Sequence, residues 1–254
     1  MKNIKNLDDR VLFDQKCTQE IKTQALDTEF QDISYKWINK AASHNYSYHF
    51  KWLGVPIIQH PSDIIIMQEL IFNIKPDLII ETGIARGGSL IFYSSMLELI
   101  WKDNKNKGKV VGIDIDIRDH NRKSILEHYC ADRISLIEGS SIDKNTFNKV
   151  KEISKKYKNI MVILDSNHTH EHVLSELSIY SKLVTKNNYC IVFDTIIQHL
   201  DKELIKDRPW TKTRNPMSAI NEFLLINNNF TIDKYYENKS MITVSPNGFL
   251  KRSR

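Results

Sequence analysis

The densest group of chemically capable side chains lies at residues 164–173, where the sequence reads LDSNHTHEHV. It contains three of the chain's nine histidines and begins where an apolar run ends. Imidazole is a frequent zinc ligand, whereas a carboxylate such as Asp165 suits a harder cation. The pattern leaves three interpretations open: a zinc site built on histidines, a divalent cation held by Asp165 and Asp194, and a helix cap with surface histidines.

Each of the five apolar runs in this region ends in acidic residues. These ends are Glu81-Thr82, Asp114-Ile115-Asp116, Glu138 with the following Gly139–Asp143, Asp165 and Asp194. One acidic strand end is most often a helix cap, but five in succession are hard to explain by capping alone. Ligands of open α/β sheets bind at the carboxyl ends of the strands. We therefore expect these side chains to line one site.

A glycine-rich loop, Gly83–Ser89, follows the first of these runs. Its spacing matches neither the dinucleotide fingerprint G-x-G-x-x-G nor the phosphate loop ending in G-K-S/T. An acidic residue before the first glycine suits a cationic or hydroxyl-rich group, and a carboxylate after the second run suits a ribose diol. The combination favours an adenosyl ligand without pyrophosphate, of which S-adenosylmethionine is the obvious example.

The elements that must position these groups alternate along the chain. Apolar runs are followed by helical patterns, which predicts a parallel sheet with helices on both faces. The runs are 77–82, 109–116, 134–138, 160–165 and 189–194, and the helical patterns are 88–102, 119–130, 143–157 and 171–186. Ser62 is predicted to cap a helix that Pro76 ends.

The two ends of the chain have different patterns. Helical composition at 17–30 and 33–43 predicts an N-terminal extension, which we assign to residues 1–61, with one domain at 62–254. After a helical pattern at 216–228, the runs Phe230–Tyr236 and Met241–Val244 predict an antiparallel pair of strands.

Composition excludes several classes of protein. The chain has 254 residues, 41% of them hydrophobic and 26% charged, with a net charge of +5. These values exclude wholesale disorder and a collagen-like repeat, and the mild charge gives no argument for nucleic acid. No apolar run is long enough to span a membrane, the N-terminus has no signal-peptide pattern, and the three cysteines are scattered. We expect a cytoplasmic protein with no membrane insertion.

Several stretches, in this order, resemble the cephalosporin hydroxylase family, and the similarity runs from about residue 50 to 250. They are Gly54–Pro61, Glu81–Ser89, Gly112–Asp116, Glu138–Asp143, Leu164–Val173 and Phe193–Ile197. The resemblance implies a Rossmann-like class I methyltransferase fold. Such a fold has a seven-stranded, mostly parallel sheet with an antiparallel C-terminal strand. It also implies S-adenosylmethionine and Mg²⁺ or another divalent cation as cofactors, and a homo-oligomer. Because the family includes rhamnosyl O-methyltransferases of polysaccharide biosynthesis, it further implies a small-molecule or glycan substrate.

By position, the resemblance also implies roles for particular residues. Those at the methionine and ribose end of the cofactor would be Glu81, Gly83, Ala85, Gly87 and Ser89. Those on the ribose and adenine side would be Asp114 or Asp116, with Ser141 and Asp143. Asp165 would border the cofactor and hold the metal with Asp194. The family pattern has an acidic residue where this chain has Phe193, so Thr195, a histidine or water must complete the metal shell.

The related catechol-type O-methyltransferases imply a general base. In them a lysine that takes the hydroxyl proton stands three residues after the metal carboxylate, and here that position is His168. We expect the metal to acidify a sugar hydroxyl, and His168 or His170 to accept its proton before the oxygen attacks the methyl group. The aromatic cluster Tyr46–Trp52 and the segment Arg208–Trp210 are candidate walls for a sugar.

Two other functions compete with this hypothesis. One is a metal-dependent hydroxylase or tailoring enzyme of a small secondary metabolite, with iron or zinc on His168, His170 and Asp165. The other is an adenosyl-binding protein without catalytic activity.

Overall fold

The computed structural model describes residues 8–102, 104 and 107–254. Its strands are β1 (Lys51–Trp52), β2 (Val55–Pro56), β3 (Leu78–Thr82), β4 (Lys109–Asp114), β5 (Ile134–Glu138), β6 (Ile160–Leu164), β7 (Tyr189–Val192), β8 (Phe230–Ile232) and β9 (Phe249–Arg252). Its helices are α1 (Asp9–Gln24), α2 (Thr28–Ala42), α3 (Pro61–Ile74), α4 (Gly88–Ile100), α5 (Asp119–Leu126), α6 (Lys144–Ser154), α7 (His170–Tyr180), α8 (Lys202–Ile205), α9 (Pro216–Ile226) and α10 (Tyr235–Ser240). Within these ranges, no helix combines the length and apolar character that crossing a membrane requires.

Strands β3 to β9 form one sheet in the order β5-β4-β3-β6-β7-β9-β8. All neighbouring pairs are parallel except those of β9, which runs antiparallel to both β7 and β8. This confirms the predicted seven-stranded, mostly parallel sheet with an antiparallel C-terminal strand. The register sets Thr82 beside Leu164, and Leu164 beside Val192. The loops after β3, β6 and β7 therefore leave the same edge of the sheet side by side.

The apolar residues of each strand divide between two cores, one on each face of the sheet. Ile79 of β3 joins the core formed with α3, α4, α5 and α10, whereas Leu78 and Ile80 join the core formed with α6, α7 and α9. Strands covered on both faces have continuous apolar runs, which is why the sequence pattern located them correctly.

The C-terminal strand pair was predicted at the wrong residues. Of the run Phe230–Tyr236 only the first three residues form β8, because the chain turns at Asp233, whose side chain accepts a hydrogen bond from the backbone N–H of Tyr235, and α10 begins at Tyr235. Residues 241–244 form no strand, and the partner of β8 is β9. The predicted cap of α3 was also wrong, since Pro61 begins the helix after His60, and the Ser62 hydroxyl donates to the carbonyl of Ile242.

The predicted N-terminal helical extension is confirmed over its described residues, and residues 1–7 lie outside them. Helices α1 and α2 lie against the C-terminal part of the chain. The Gln24 side chain donates to the carbonyl of Asn238, and the Asn39 side chain binds the backbone at His199 and Asp201. Tyr35 also stacks on the His199 ring, 4.5 Å between centroids. These contacts hold α2 against the loop that follows β7.

Gly83 lets two of the edge loops approach each other closely. Its φ is 88°, and a Cβ there would lie 2.1 Å from the carbonyl oxygen of Asp165. The backbone that carries Asp165 is therefore packed directly on the loop after β3.

We predict that Gly83→Ala destabilises the protein by about 2 kcal/mol or more beyond the loss in Gly54→Ala, measured by denaturant unfolding. Gly54 has a φ of 90° with nothing within 4 Å of its Cβ position, so it controls for backbone strain alone. Equal losses in the two variants would contradict the close packing.

Candidate functional site

Three side chains converge at the carboxyl edge of the sheet: Asp165 and His168 from the loop after β6, and Asp194 after β7. One ligand atom from each lies within 4.8 Å of the other two. The Nε2 atom of His168 is 2.9 Å from Oδ2 of Asp194, and the His168 ring packs edge-on against Trp210. Asp194 has a φ of 57°, a conformation that non-glycine residues rarely adopt outside functional or turn positions.

The electrostatics of this group follow from burying two acids beside one base. Burial, together with the charge of Asp194, raises the pKa of Asp165 well above its usual value. Burial works against ionisation of Asp194 too, but His168 holds the pKa of Asp194 below its usual value. Burial alone would lower the pKa of His168, yet the two carboxylates raise it to about 9. A divalent cation would replace the protons that this cluster otherwise holds.

The residues around Asp194 explain which third ligand is available. Phe193, at the position where the family pattern has an acid, is 1% exposed and packs in the apolar core. Thr195 was predicted as a metal ligand, but its buried hydroxyl donates to the carbonyl of Pro246, 2.6 Å away. The structure therefore brings His168 rather than Thr195 to the two carboxylates.

The other two histidines of the cluster point elsewhere. His170, predicted as a possible base, has Nδ1 2.7 Å from the Ser218 hydroxyl and Nε2 3.0 Å from a carboxylate oxygen of Glu222. It joins α7 to α9, and both ring nitrogens face α9 rather than the two carboxylates. His172 lies 3.0 Å from the Ser141 hydroxyl. Because this segment opens a helix, alternate residues do not share a face.

The glycine-rich loop lies on the neighbouring side of Asp165. Glu81 is fully buried and accepts a 2.7 Å hydrogen bond from the Ser89 hydroxyl. Burial raises the pKa of Glu81 to about 8, although the hydroxyls of Ser89 and Tyr93 lower it in part. Asp114 accepts hydrogen bonds from the backbone N–H groups of Ile84 and Ala85, which fixes the loop against the end of β4.

Two of the predicted cofactor residues lie apart from this group. The Asp116 side chain is 70% exposed and pairs with Arg118. The Asp143 carboxylate caps α6 by accepting from the backbone N–H groups of Asn145 and Thr146. Capping accounts for Asp143, and of the two candidate ribose carboxylates Asp114 lines a cavity at the edge of the sheet.

Three connected cavities follow the edge of the sheet. The serine cavity, about 190 Å³, is lined by Gly83, Ile113, Asp114, Ile115, Ser140, Ser141, Ser166, Asn167 and His172. The loop cleft, about 40 Å³, is lined by Pro56, Ile58, Gln59, Asp165 and residues 83–89. The acidic cavity, about 510 Å³, contains Asp165, His168 and Asp194. Gly83 belongs to the first two cavities, and Asp165 to the last two.

The wall of the acidic cavity opposite the sheet comes from the N-terminal extension. Residues Ile38, Ala42, Ser43, Asn45, Ser47 and Tyr48 line it, and Arg208 and Trp210 close another side. Of the aromatic cluster 46–52, Tyr48 lines the cavity, whereas Trp52 lines a separate surface groove and donates to the Ser95 hydroxyl.

The sequence patterns missed Gln59 and His60, which line the acidic cavity and are 7% and 4% exposed. They precede the first strand of the main sheet, so the strand-end argument does not reach them. The available signal was the loop Gly54–Pro61, in which a polar pair stands between apolar residues and a helix start.

The strand order, the single antiparallel strand and the edge cavities define a Rossmann-like class I methyltransferase fold. Solved structures agree with this assignment. CmcI with Mg and SAM superposes with a TM-score of 0.56 at 20% identity, covering 82% of this chain and 78% of that one. The mycinamycin-pathway methyltransferase MycE with Mg and SAH gives 0.51 at 15%, covering 85% of this chain and 54% of that one.

The sequence profile described as Rhamnosyl O-methyltransferase/CmcI matches residues 44–253, so the chain belongs to that family. The Rhamnosyl O-methyltransferase of Mycobacterium tuberculosis H37Rv is 27% identical over 211 residues, covering 80% of this chain and 78% of that protein. The protein of the same name from Mycobacterium leprae is 28% identical over 145 residues, covering 57% and 59%. The family resemblance read from the motifs is confirmed.

We predict that the His168 ring in the metal-free protein has its titration midpoint near pH 9. Asp194→Asn is expected to lower this midpoint by about 1 unit or more, because it removes one of the two carboxylate charges that oppose the effect of burial on the His168 pKa. Histidine NMR after chelator treatment measures the midpoint. Asp201→Asn, which removes an exposed acid beyond the cluster, serves as the control and leaves it unchanged. A midpoint near 6.5 in the native protein would contradict the carboxylate pairing.

Proposed function

We propose that this protein is an S-adenosylmethionine-dependent, divalent-metal-assisted O-methyltransferase that acts on a hydroxyl of a sugar or polysaccharide precursor. The observation that carries this proposal is the shared lining of the cavities: Asp165 borders both the cleft of the glycine-rich loop and the cavity with His168 and Asp194. A methyl donor on one side of Asp165 would face an acceptor on the other. The names of the curated relatives, Rhamnosyl O-methyltransferase, support a deoxysugar as the acceptor.

The residues present fit a divalent cation. Two carboxylates and an imidazole nitrogen within 4.8 Å provide a suitable donor set, and they converge on a cavity with room for substrate oxygens and water. We assign Asp165 and Asp194 as the ligands that hold the metal. His168 stands beside them, able to complete the shell or to take a proton.

The residues also fit an adenosyl donor. The serine cavity presents the Asp114 carboxylate and the Ser141 hydroxyl, and the loop cleft presents the backbone of Gly83, Ala85 and Gly87. The fully buried Glu81 accepts a hydrogen bond from the Ser89 hydroxyl, which lines the cleft, and a cationic group bound there would favour the ionised form of Glu81. We propose that the ribose and base occupy the serine cavity and that the methionine end lies in the loop cleft.

The mechanism assigns proton transfer to His168. A bound divalent cation would act as a Lewis acid and lower the pKa of an adjacent sugar hydroxyl. Because Nε2 of His168 contacts Oδ2 of Asp194 at 2.9 Å, the other ring nitrogen, Nδ1, would accept the hydroxyl proton, and Asp194 would orient the ring and stabilise the imidazolium. A divalent cation held by Asp165 and Asp194 would offset the negative charge that raises the pKa of His168, and this would leave the ring neutral before it accepts the proton. Trp210, edge-on to the ring, excludes water from one side. Holding donor and acceptor in line provides the larger part of the rate.

The acceptor end has the side chains that sugars commonly contact. Tyr48 and Trp210 offer aromatic surface, and the Arg208 guanidinium lies 5.6 Å from the Trp210 ring centroid. Residues 1–61 would be the extension and substrate-side cap, and 62–254 the methyltransferase domain. We also propose a cytoplasmic homo-oligomer.

A hydroxylase built on two histidines and one carboxylate has no support. That site required His168 and His170 with Asp165, but His170 is bound to Ser218 and Glu222. The acidic cavity accordingly offers one histidine of that pair.

We predict that Asp165→Asn lowers kcat by about a thousandfold, because it removes a metal carboxylate beside the reacting groups. The assay measures S-adenosylhomocysteine released from S-adenosylmethionine, Mg²⁺ and a rhamnosyl glycoside. Asp143→Asn is the matched control, because asparagine also caps helices, and it stays within about twofold of the native rate. A native protein that binds S-adenosylmethionine but methylates no sugar would overturn the proposed acceptor.

We predict that His168→Gln lowers kcat by about 10²- to 10⁴-fold at neutral pH, as expected for loss of a general base. His170→Gln instead lowers the free energy of unfolding by about 1–3 kcal/mol, because the buried His170 ring loses its contacts to Ser218 and Glu222 of α9, and it leaves kcat within about threefold. The same turnover assay and denaturant unfolding separate the two effects. Equal kcat in both variants would assign the base elsewhere.

A further inference from the structure

Gln59 occupies the boundary between the loop cleft and the acidic cavity. It lies in the loop between β2 and α3, is 7% exposed, and lines both spaces. Its neighbours in the two linings include Ser89 on one side and Asp194 on the other. A side chain at this position can contact ligands in both spaces.

The nitrogen and the oxygen of the Gln59 side-chain amide differ in their hydrogen bonding. Nε2 donates to Oδ2 of Asp165 at 3.3 Å, whereas Oε1 is buried and has no hydrogen-bond partner among the residues that the structure describes. Buried polar atoms are paired in the great majority of native structures. Once Asp165 is ionised, as a metal ligand must be, only the N–H side of the amide can face it. Oε1 is therefore left to accept a hydrogen bond from something other than Asp165.

The backbone around Gln59 is firmly held. A Cβ on Gly88 would lie 2.3 Å from the carbonyl oxygen of Pro56, so the β2 segment packs directly on the start of α4. Ile57 is 2% exposed and its N–H donates to the carbonyl of Phe50, and α3 begins immediately after His60. Gln59 therefore cannot move away to find another partner without disturbing the packing of two helices.

We propose that Gln59 is a positioning residue that couples the two sites. Its Oε1 accepts an N–H from an ammonium group in the loop cleft, and the amide, fixed by that bond, orients Asp165 for the metal. The inference rests on the proposed function, because S-adenosylmethionine carries such an ammonium group at its methionine end. Metal and cofactor then each bind more tightly in the presence of the other, and by the same factor in both directions.

The test measures Mn²⁺ affinity of the full-length protein by electron paramagnetic resonance, with and without S-adenosylhomocysteine, which keeps the ammonium group. We expect S-adenosylhomocysteine to tighten Mn²⁺ binding by about fivefold or more in the native protein, and by less than about twofold in Gln59→Met. In the native protein, 5′-methylthioadenosine, which lacks the amino-acid part, should leave Mn²⁺ affinity within about twofold.

Gln19→Met is the matched control, because Gln19 lies on an exposed part of α1, and it should keep the native coupling. Coupling that persists in Gln59→Met, coupling absent from the native protein, or equal coupling by 5′-methylthioadenosine would overturn the inference. In each of those cases Mn²⁺ and S-adenosylhomocysteine still bind, and the proposed function stands. A native protein that binds neither would overturn both. Should Gln59→Met fail to fold, Gln59→Glu, which removes the amide donor, is expected to lose the coupling in its place.

Discussion

The placing of two half-buried carboxylates at the ends of adjacent strands is the constraint on which the rest of the site depends. Asp165 and Asp194 follow β6 and β7, whose register brings both to one edge of the sheet. Two like charges in a partly desolvated place are unfavourable unless a cation or a proton accompanies them. His168 supplies one positive charge from within the chain, and a divalent ion would supply the rest. The shifted pKa values of all three groups follow from this one arrangement.

Most of the fold was predicted from the pattern of apolar runs. Five continuous apolar runs located β3 to β7, because strands covered on both faces need apolar residues at every position. The prediction of the C-terminal pair failed for a local reason: the chain turns at Asp233 and α10 begins at Tyr235, and β9 follows a turn at Gly248. The hydrophobic pattern of residues 230–252 does not show which of its segments form strands. Strand β9 is defined by its pairing with β7 and not by a pattern of its own.

Site residues were predictable where a strand end fixes their position, and less so where side-chain direction decides. Asp165, Asp194 and Asp114 follow directly from the strand ends. Thr195 and His170 did not meet the expectation, because each follows a change of backbone direction: Asp194 has a left-handed conformation, and His170 begins α7. Asp116 and Asp143 are acidic and near strand ends, but a surface ion pair and a helix cap account for them.

The N-terminal wall of the acidic cavity has a consequence for how relatives of this protein diverge. The donor side is formed by loops of the sheet itself, where Gly83 and Gly88 tolerate no added side chain. Ser43, Asn45 and Ser47 belong instead to the segment after α2, a helix that is held in place by contacts such as that of Asn39 with His199. Mutations in that segment can reshape the acidic cavity while the loops of the sheet are preserved. Selection for a different ligand would accordingly leave its record in the first fifty residues.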